Sequence, residues 1–272
     1  MSTITRSGIH KSILEYIHIA YDLIRISIKE QLTYRTAMIA GLVTNFFWSL
    51  LRVYVIIALY QGADQVNSLT LQGAITYVGI SQAFIAFLTV FGSYDLMMVV
   101  YTGDIASDLL KPVHLYFYWL NRDLGRSIVN FLVRALTGML AFSLIFDVYL
   151  PKSLTQWLVA FLSLGFAWLI SYTFRFIINL IAFWSPDARG YGRVAYTISQ
   201  LFTGMFIPLR MFPDWFTKIC QYSPFPSILN TPIEIYLGVL QGKELWSALS
   251  QQVLWYLLLV GISILVLRRG IE

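Results

Sequence analysis

The chain of 272 residues has one cysteine, Cys220, and three histidines, His10, His18 and His114. That is too little for a disulfide framework or a cysteine-rich metal site, and it leaves the redox compartment open. No H-E-x-x-H or H-x-E pattern surrounds the histidines, which read as solvated or headgroup-facing residues, so no metal site is expected. No serine sits in a G-x-S-x-G context, and no G-x-x-x-x-G-K-[ST] phosphate loop occurs, so the chain is not expected to hydrolyse nucleotide or to act as an enzyme. Charge is scarce too: Asp, Glu, Lys and Arg make up 12% of the residues, against about 25% in soluble proteins.

What is present is apolar. Hydrophobic residues make up 58% and aromatic ones 16%, the composition of an all-α integral membrane protein. The net charge of +5 reads as the positive bias of loops on one membrane face, and no nucleic-acid partner is expected. Nor is a cleavable signal peptide, because no compact apolar run near the N-terminus leads into a small-residue cleavage site.

From Lys11 to Lys29 the polar residues Lys11, Glu15, His18, Asp22, Arg25 and Lys29 recur at spacings of four and three. They form a narrow stripe on a helix whose wide remainder is apolar, which predicts an interfacial amphipathic helix within a cytosolic segment, 1–36. Residues 37–272 then predict about six spans: near 37–60, 73–101, 127–146, 154–184, a marginal 194–208, and 248–267. Pro186, Gly190 and Gly192 read as turn residues between the fourth and fifth. Five of the eight prolines (Pro208, Pro213, Pro224, Pro226 and Pro232) fall within the 25 residues that begin at the end of the fifth stretch. This predicts a re-entrant extracytoplasmic segment, 209–247.

Positive residues fix the orientation. Twelve Lys and Arg, among them Arg6 and Lys11, lie in 1–36, 102–126, 185–193 and 268–272, against Lys152, Arg210, Lys218 and Lys243 on the other side. Both termini are therefore expected in the cytosol.

The loop 102–126 contains the stretch Y-T-G-D-I-A-S-D-L-L-K-P, Tyr101 to Pro112. Gly103 suits the left-handed position that ends a helix, Asp104 suits the N-cap of a new one, and Pro112 terminates that new helix. Ile105, Leu109 and Leu110 form one apolar ridge. So short a helix cannot stand alone, so it rests on lipid or enters a groove on another protein. The second constellation is G-M-F-I-P-L-R-M-F-P-D-W, Gly204 to Trp215, with S-P-F-P beginning at Ser223.

The first stretch, through Gly103, Asp104, Ile105, Asp108, Leu109, Leu110 and Pro112, resembles the coupling loop of permease subunits of ATP-binding-cassette (ABC) transporters of the type-2 exporter family. The second, through Gly204, Pro208, Pro213, Trp215 and Pro224, is similar to the pattern that comes after their fifth span. The nearest likeness is to a subgroup whose permease is a separate chain of about this size. The resemblance implies a permease that exports an unidentified cargo across a bacterial inner or plasma membrane. It implies separate ABC ATPase subunits that bind ATP and Mg, with no cofactor in this chain. It also implies a second permease, identical or related, and a lipid surround. Two other classes stay open: a non-transporting anchor or regulator with the same fold, and a membrane-embedded enzyme acting on lipid.

Four charged residues fall within predicted spans: Arg52, Asp95, Arg134 and Arg175. At a helix centre each costs about 2.5 to 3.5 kcal/mol, so each marks a partner or a pathway. By depth, Asp95 is expected to pair with Arg134 or Arg175. Arg52 is left with no acid at its level, and either faces an anionic amphiphilic cargo or turns to a neighbouring carbonyl.

Overall fold

The computed structural model describes residues 13–63, 65–67, 69–185 and 187–272. Arg6, His10, Lys11 and Pro186 lie outside them. Helices α1 (Ile13–Thr33) and α2 (Arg35–Tyr60) meet at Tyr34. α1 packs along the helix that begins at Leu115, where its Ser27 hydroxyl donates to the Arg122 carbonyl at 2.6 Å. Its Glu15, His18, Asp22, Arg25 and Lys29 are exposed, while Ile24 and Ile28 are half-buried.

A two-stranded antiparallel ladder, β1 (Gln65–Val66) and β2 (Leu69–Thr70), leads into α3 (Leu71–Phe87). The Thr70 hydroxyl caps α3 by accepting from the Gly73 amide at 3.1 Å, which fixes where the helix starts. The single long second span expected over 73–101 is instead two helices. α3 ends at Phe87, the chain runs irregularly to Tyr94, and α4 occupies Asp95–Thr102. Backbone at that depth persists only if its freed carbonyls find partners within the protein. Ser127 donates to Phe87 O at 3.1 Å, Ser171 to Leu88 O at 2.5 Å, and Asn179 to Ser93 O at 2.8 Å. Gly92 makes the bend with φ +81°, and a Cβ there would collide with the Tyr196 ring.

α5 (Ile105–Leu109) comes next, then α6, continuous over Leu115–Ser143 with one π-helical stretch at Asn130–Ala135. Residues 115–126, expected in a loop, are therefore helical. α7 (Leu154–Leu180) runs on through one 3-10 turn to Phe183. α8 (Ala188–Phe202) begins inside the stretch expected as a turn, so Gly190 and Gly192 are helical. At Gly192 glycine serves close approach, since a Cβ would stand 2.8 Å from the Tyr94 ring. After a 3-10 turn at Leu209–Met211 come α9 (Asp214–Gln221), α10 (Asn230–Tyr236) and α11 (Gly242–Ile271).

Four helices, α2, α6, α7 and α11, are long and apolar enough to cross a membrane. α3 and α8 are shorter, about 25 Å and 22 Å at the helical rise; α3 is apolar but α8 is amphipathic, so of the six expected spans four appear as full-length helices and one as a short apolar helix. The fold is all-α apart from the small ladder. Its core lies around α3 and α7, where Tyr77, Ile80, Trp168, Ile170, Leu229 and Ile233 pack together. α2 and α11 keep broad apolar faces exposed, among them Phe47, Trp48, Leu254 and Leu257, as helices facing lipid do.

Candidate functional site

The stretch from Tyr101 to Pro112 sits at one end of α6. Gly103 closes α4 with φ +81°, in the left-handed conformation expected of it. Asp104 does not cap α5 with its side chain; its carboxylate accepts instead from the Thr102 hydroxyl at 2.7 Å. The apolar ridge divides. Ile105 turns inward onto a cluster that includes Leu96, Leu115 and Tyr116, whereas Leu109 and Leu110 are 39% and 87% exposed. Asp108 is buried and pairs with Lys111 at 2.6 Å, and the same ammonium donates to the Tyr118 hydroxyl at 2.9 Å. Burial opposes the Lys111 charge, but the Asp108 and Tyr118 contacts outweigh it and hold the ammonium above the ordinary lysine value. Pro112 is exposed just after α5, and His114 caps α6 by accepting from the Tyr116 amide.

Beside this tip, α1, α4, α6 and α7 line an open cleft of about 480 Å³. Its wall carries a charge cluster centred on Asp123, a residue outside every span expected from hydropathy. Both Asp123 oxygens accept from Arg175, at 2.8 and 2.9 Å, and the pair is almost fully buried. Arg126 bridges Asp123 at 2.5 Å and Asp95 at 2.6 Å. The Trp168 indole donates to the second Asp123 oxygen at 3.0 Å. The carboxylate thus has each oxygen shared by two donors, the condition under which a buried charge is tolerated. Asp95 therefore pairs with Arg126 and not with Arg134 or Arg175, because the break before α4 and the early start of α6 shift both helices from their expected register.

The cluster ties the tip to the core. The Asn179 side chain of α7 accepts from the Met97 amide at 2.9 Å and so caps α4. At the other end of α4, the Tyr101 hydroxyl accepts from the Ala188 amide at 2.9 Å, at the start of α8.

The second constellation folds around Tyr77, whose hydroxyl lies 2.9 Å from Gly204 O and 3.0 Å from Asn230 Oδ1. Gly204 has φ +76°, and a Cβ there would come 2.7 Å from that hydroxyl. Pro208 and Pro213 precede the 3-10 turn and α9, Trp215 is exposed on α9, and Pro224 lies in the turn before α10. A buried Glu234 pairs with Arg210 at 2.6 Å. Arg52 donates to the Met205 carbonyl at 2.8 Å and stands 5.2 Å from the Phe206 ring. This is the contact that the carbonyl alternative expects. Among the described residues no group of three or more His, Cys, Asp and Glu side chains gathers to hold a metal ion.

A sequence profile described as ABC-2 family transporter protein matches residues 44–272, which include both constellations and the charge cluster. No curated protein sequence matches the chain. The profile covers well over half of the molecule, and the all-α architecture with membrane-length helices agrees with it: the chain belongs to the ABC-2 transporter family and is an integral membrane permease component.

Proposed function

We propose that this chain is the permease subunit of an ABC exporter, driven by separate ATPase subunits that bind ATP and Mg and seat on α5. The observation that carries this reading is the tip itself. A five-residue helix presents Leu109 and Leu110 outward, too short to be stable alone, yet its buried Asp108 and half-buried Ile105 anchor it to the bundle. Such an element suits a groove in a partner better than free water.

Two copies, or this chain with a related one, enclose the pathway. Both termini face the cytosol, and the segment 209–247 dips into the outer leaflet. α9 and α10 are about 12 Å and 10 Å long, well short of the roughly 30 Å hydrocarbon core. Closure of the ATPase pair moves α5, and the Asp95–Arg126–Asp123–Arg175 chain carries that motion into α6 and α7. Transport then requires the two permease states to differ in affinity for cargo.

The test is ATP hydrolysis by the partner ATPase in liposomes, with and without this chain. The permease reading expects hydrolysis to depend on the chain and to respond to cargo. Hydrolysis identical in both preparations would leave a non-transporting anchor in its place.

A further inference from the structure

Arg134 is the deeply placed arginine that the ion network does not absorb. It stands on the π-helical stretch of α6, about 14 Å from the Ser143 end by the helical rise. Among the described residues it makes neither an ion pair nor a hydrogen bond, and its buried Nε has no partner. Arg126 and Arg175 also have a buried Nε without a partner, but their charges are paired with Asp123, and Arg52 donates to the Met205 carbonyl; among the described residues Arg134 has neither kind of contact.

A second orphan donor faces the same place. Gln82 of α3 is 2% exposed, and its Nε2 has no partner; it lies about 16 Å below the Leu71 end of its helix. Arg134 and Gln82 both line a small pocket between α2, α3 and α6 of about 20 Å³, room for one water-sized group. The seat is shaped for the guanidinium. A Cβ on Gly41 would collide with Arg134 Nη2, whereas one on Gly138, one turn beyond Arg134, would meet nothing within 4 Å. Gly41 leaves room for the guanidinium as it lies, and Gly138 borders open space beside the pocket.

We propose that Arg134 and Gln82 form an intramembrane seat for one acidic oxygen of a membrane-dissolved amphiphile with a phosphate or carboxylate head, entering beside Gly138. Two unpaired donors on one pocket, one of them on a cation, call for an anionic acceptor. The depth places that acceptor among acyl chains, beyond the resident lipid headgroups, so it arrives on an apolar tail. That this amphiphile is cargo rests on the permease reading; that the seat binds it does not.

Binding is therefore measured on the purified chain without ATPase, in uncharged maltoside micelles, by calorimetric titration with dodecyl phosphate, dodecyltrimethylammonium and inorganic phosphate. The native chain is expected to prefer dodecyl phosphate over the other two by about tenfold or more, the factor that one charge-assisted bond supplies. Arg134→Gln removes the preference, Arg134→Lys keeps part of it, Gln82→Leu weakens it, and Arg52→Gln leaves it unchanged. Equal affinity for inorganic phosphate overturns the amphiphile assignment, and native affinity in a folded Arg134→Gln variant overturns the seat. Should Arg134→Gln fail to fold, native affinity in Gln82→Leu overturns it equally. Loss of ATPase coupling alone leaves every one of these titrations as it is.

Discussion

Replacing Leu110 with glutamate is expected to abolish co-purification of the ATPase subunit while leaving the chain inserted and folded. Leu110 is 87% exposed at the tip of the bundle, so a carboxylate there costs the isolated permease almost nothing. In an apolar groove of the partner the same carboxylate is desolvated without a counter-charge. A loss of affinity of about a hundredfold, or ~2.8 kcal/mol, is a conservative expectation. Leu109→Glu acts in the same direction and less strongly, because Leu109 is only partly presented. Ile105→Glu differs in kind: Ile105 packs on Leu96 and Leu115, so that variant damages the tip before any partner arrives. Pull-down yield and thermal melting of the permease, measured side by side, distinguish the two. Undiminished ATPase yield with Leu110→Glu would end the coupling assignment.

The second large effect belongs to Asp123. Asp123→Asn leaves Arg175 buried with no carboxylate and removes one of the two acids that hold Arg126. Breaking a buried pair from one side typically costs about 3 to 5 kcal/mol, which for a chain of this size amounts to a drop in melting temperature of roughly 10 °C. Adding Arg175→Met is expected to recover part of that loss, because the unpaired charge goes with its partner. Asp95→Asn should cost far less, since that carboxylate is 59% exposed and water replaces much of what it loses. Equal destabilisation by Asp95→Asn and Asp123→Asn, or strict additivity in the Asp123–Arg175 double variant, would remove Asp123 from the centre of the cluster.

The difference between these two acids shows which parts of the molecule local sequence specifies. Gly103 and Pro112 bound the tip as expected because their signals are backbone signals: a left-handed φ and a missing amide act wherever the helix lies. The membrane-length helices were equally legible, since length and apolarity are local. The direction of each residue on α5 was not, because five residues have no face of their own until they lie against α6; only then does Ile105 turn in and Leu110 out. The pairing of Asp95 failed for a related reason. Depth counted along an unbroken second span puts it level with Arg134. The chain instead breaks after Phe87, and the break is stable only through the side chains of Ser127, Ser171 and Asn179 from distant helices. Asp123 was hidden by the assignment of 115–126 to a loop. The signal that would have revealed it is the stop at Pro112 with His114 just beyond it, a cap for a helix that starts twelve residues earlier than hydropathy suggests.

The most direct test of coupling through α5 uses two leucines of almost equal exposure at opposite ends of one helix. Leu110, just before α6, is 87% exposed, and Leu144, just after it, is 88% exposed; the 29 residues between Leu115 and Ser143 separate them by about 43 Å. A photoreactive benzoylphenylalanine is placed at one position or the other in the assembled permease–ATPase complex, and the complex is irradiated in membranes. Cross-linking to the ATPase from position 110 and none from position 144 is the predicted result. Cross-linking from position 144, or from neither position in a complex that still hydrolyses ATP, would contradict the assignment of α5 as the coupling element.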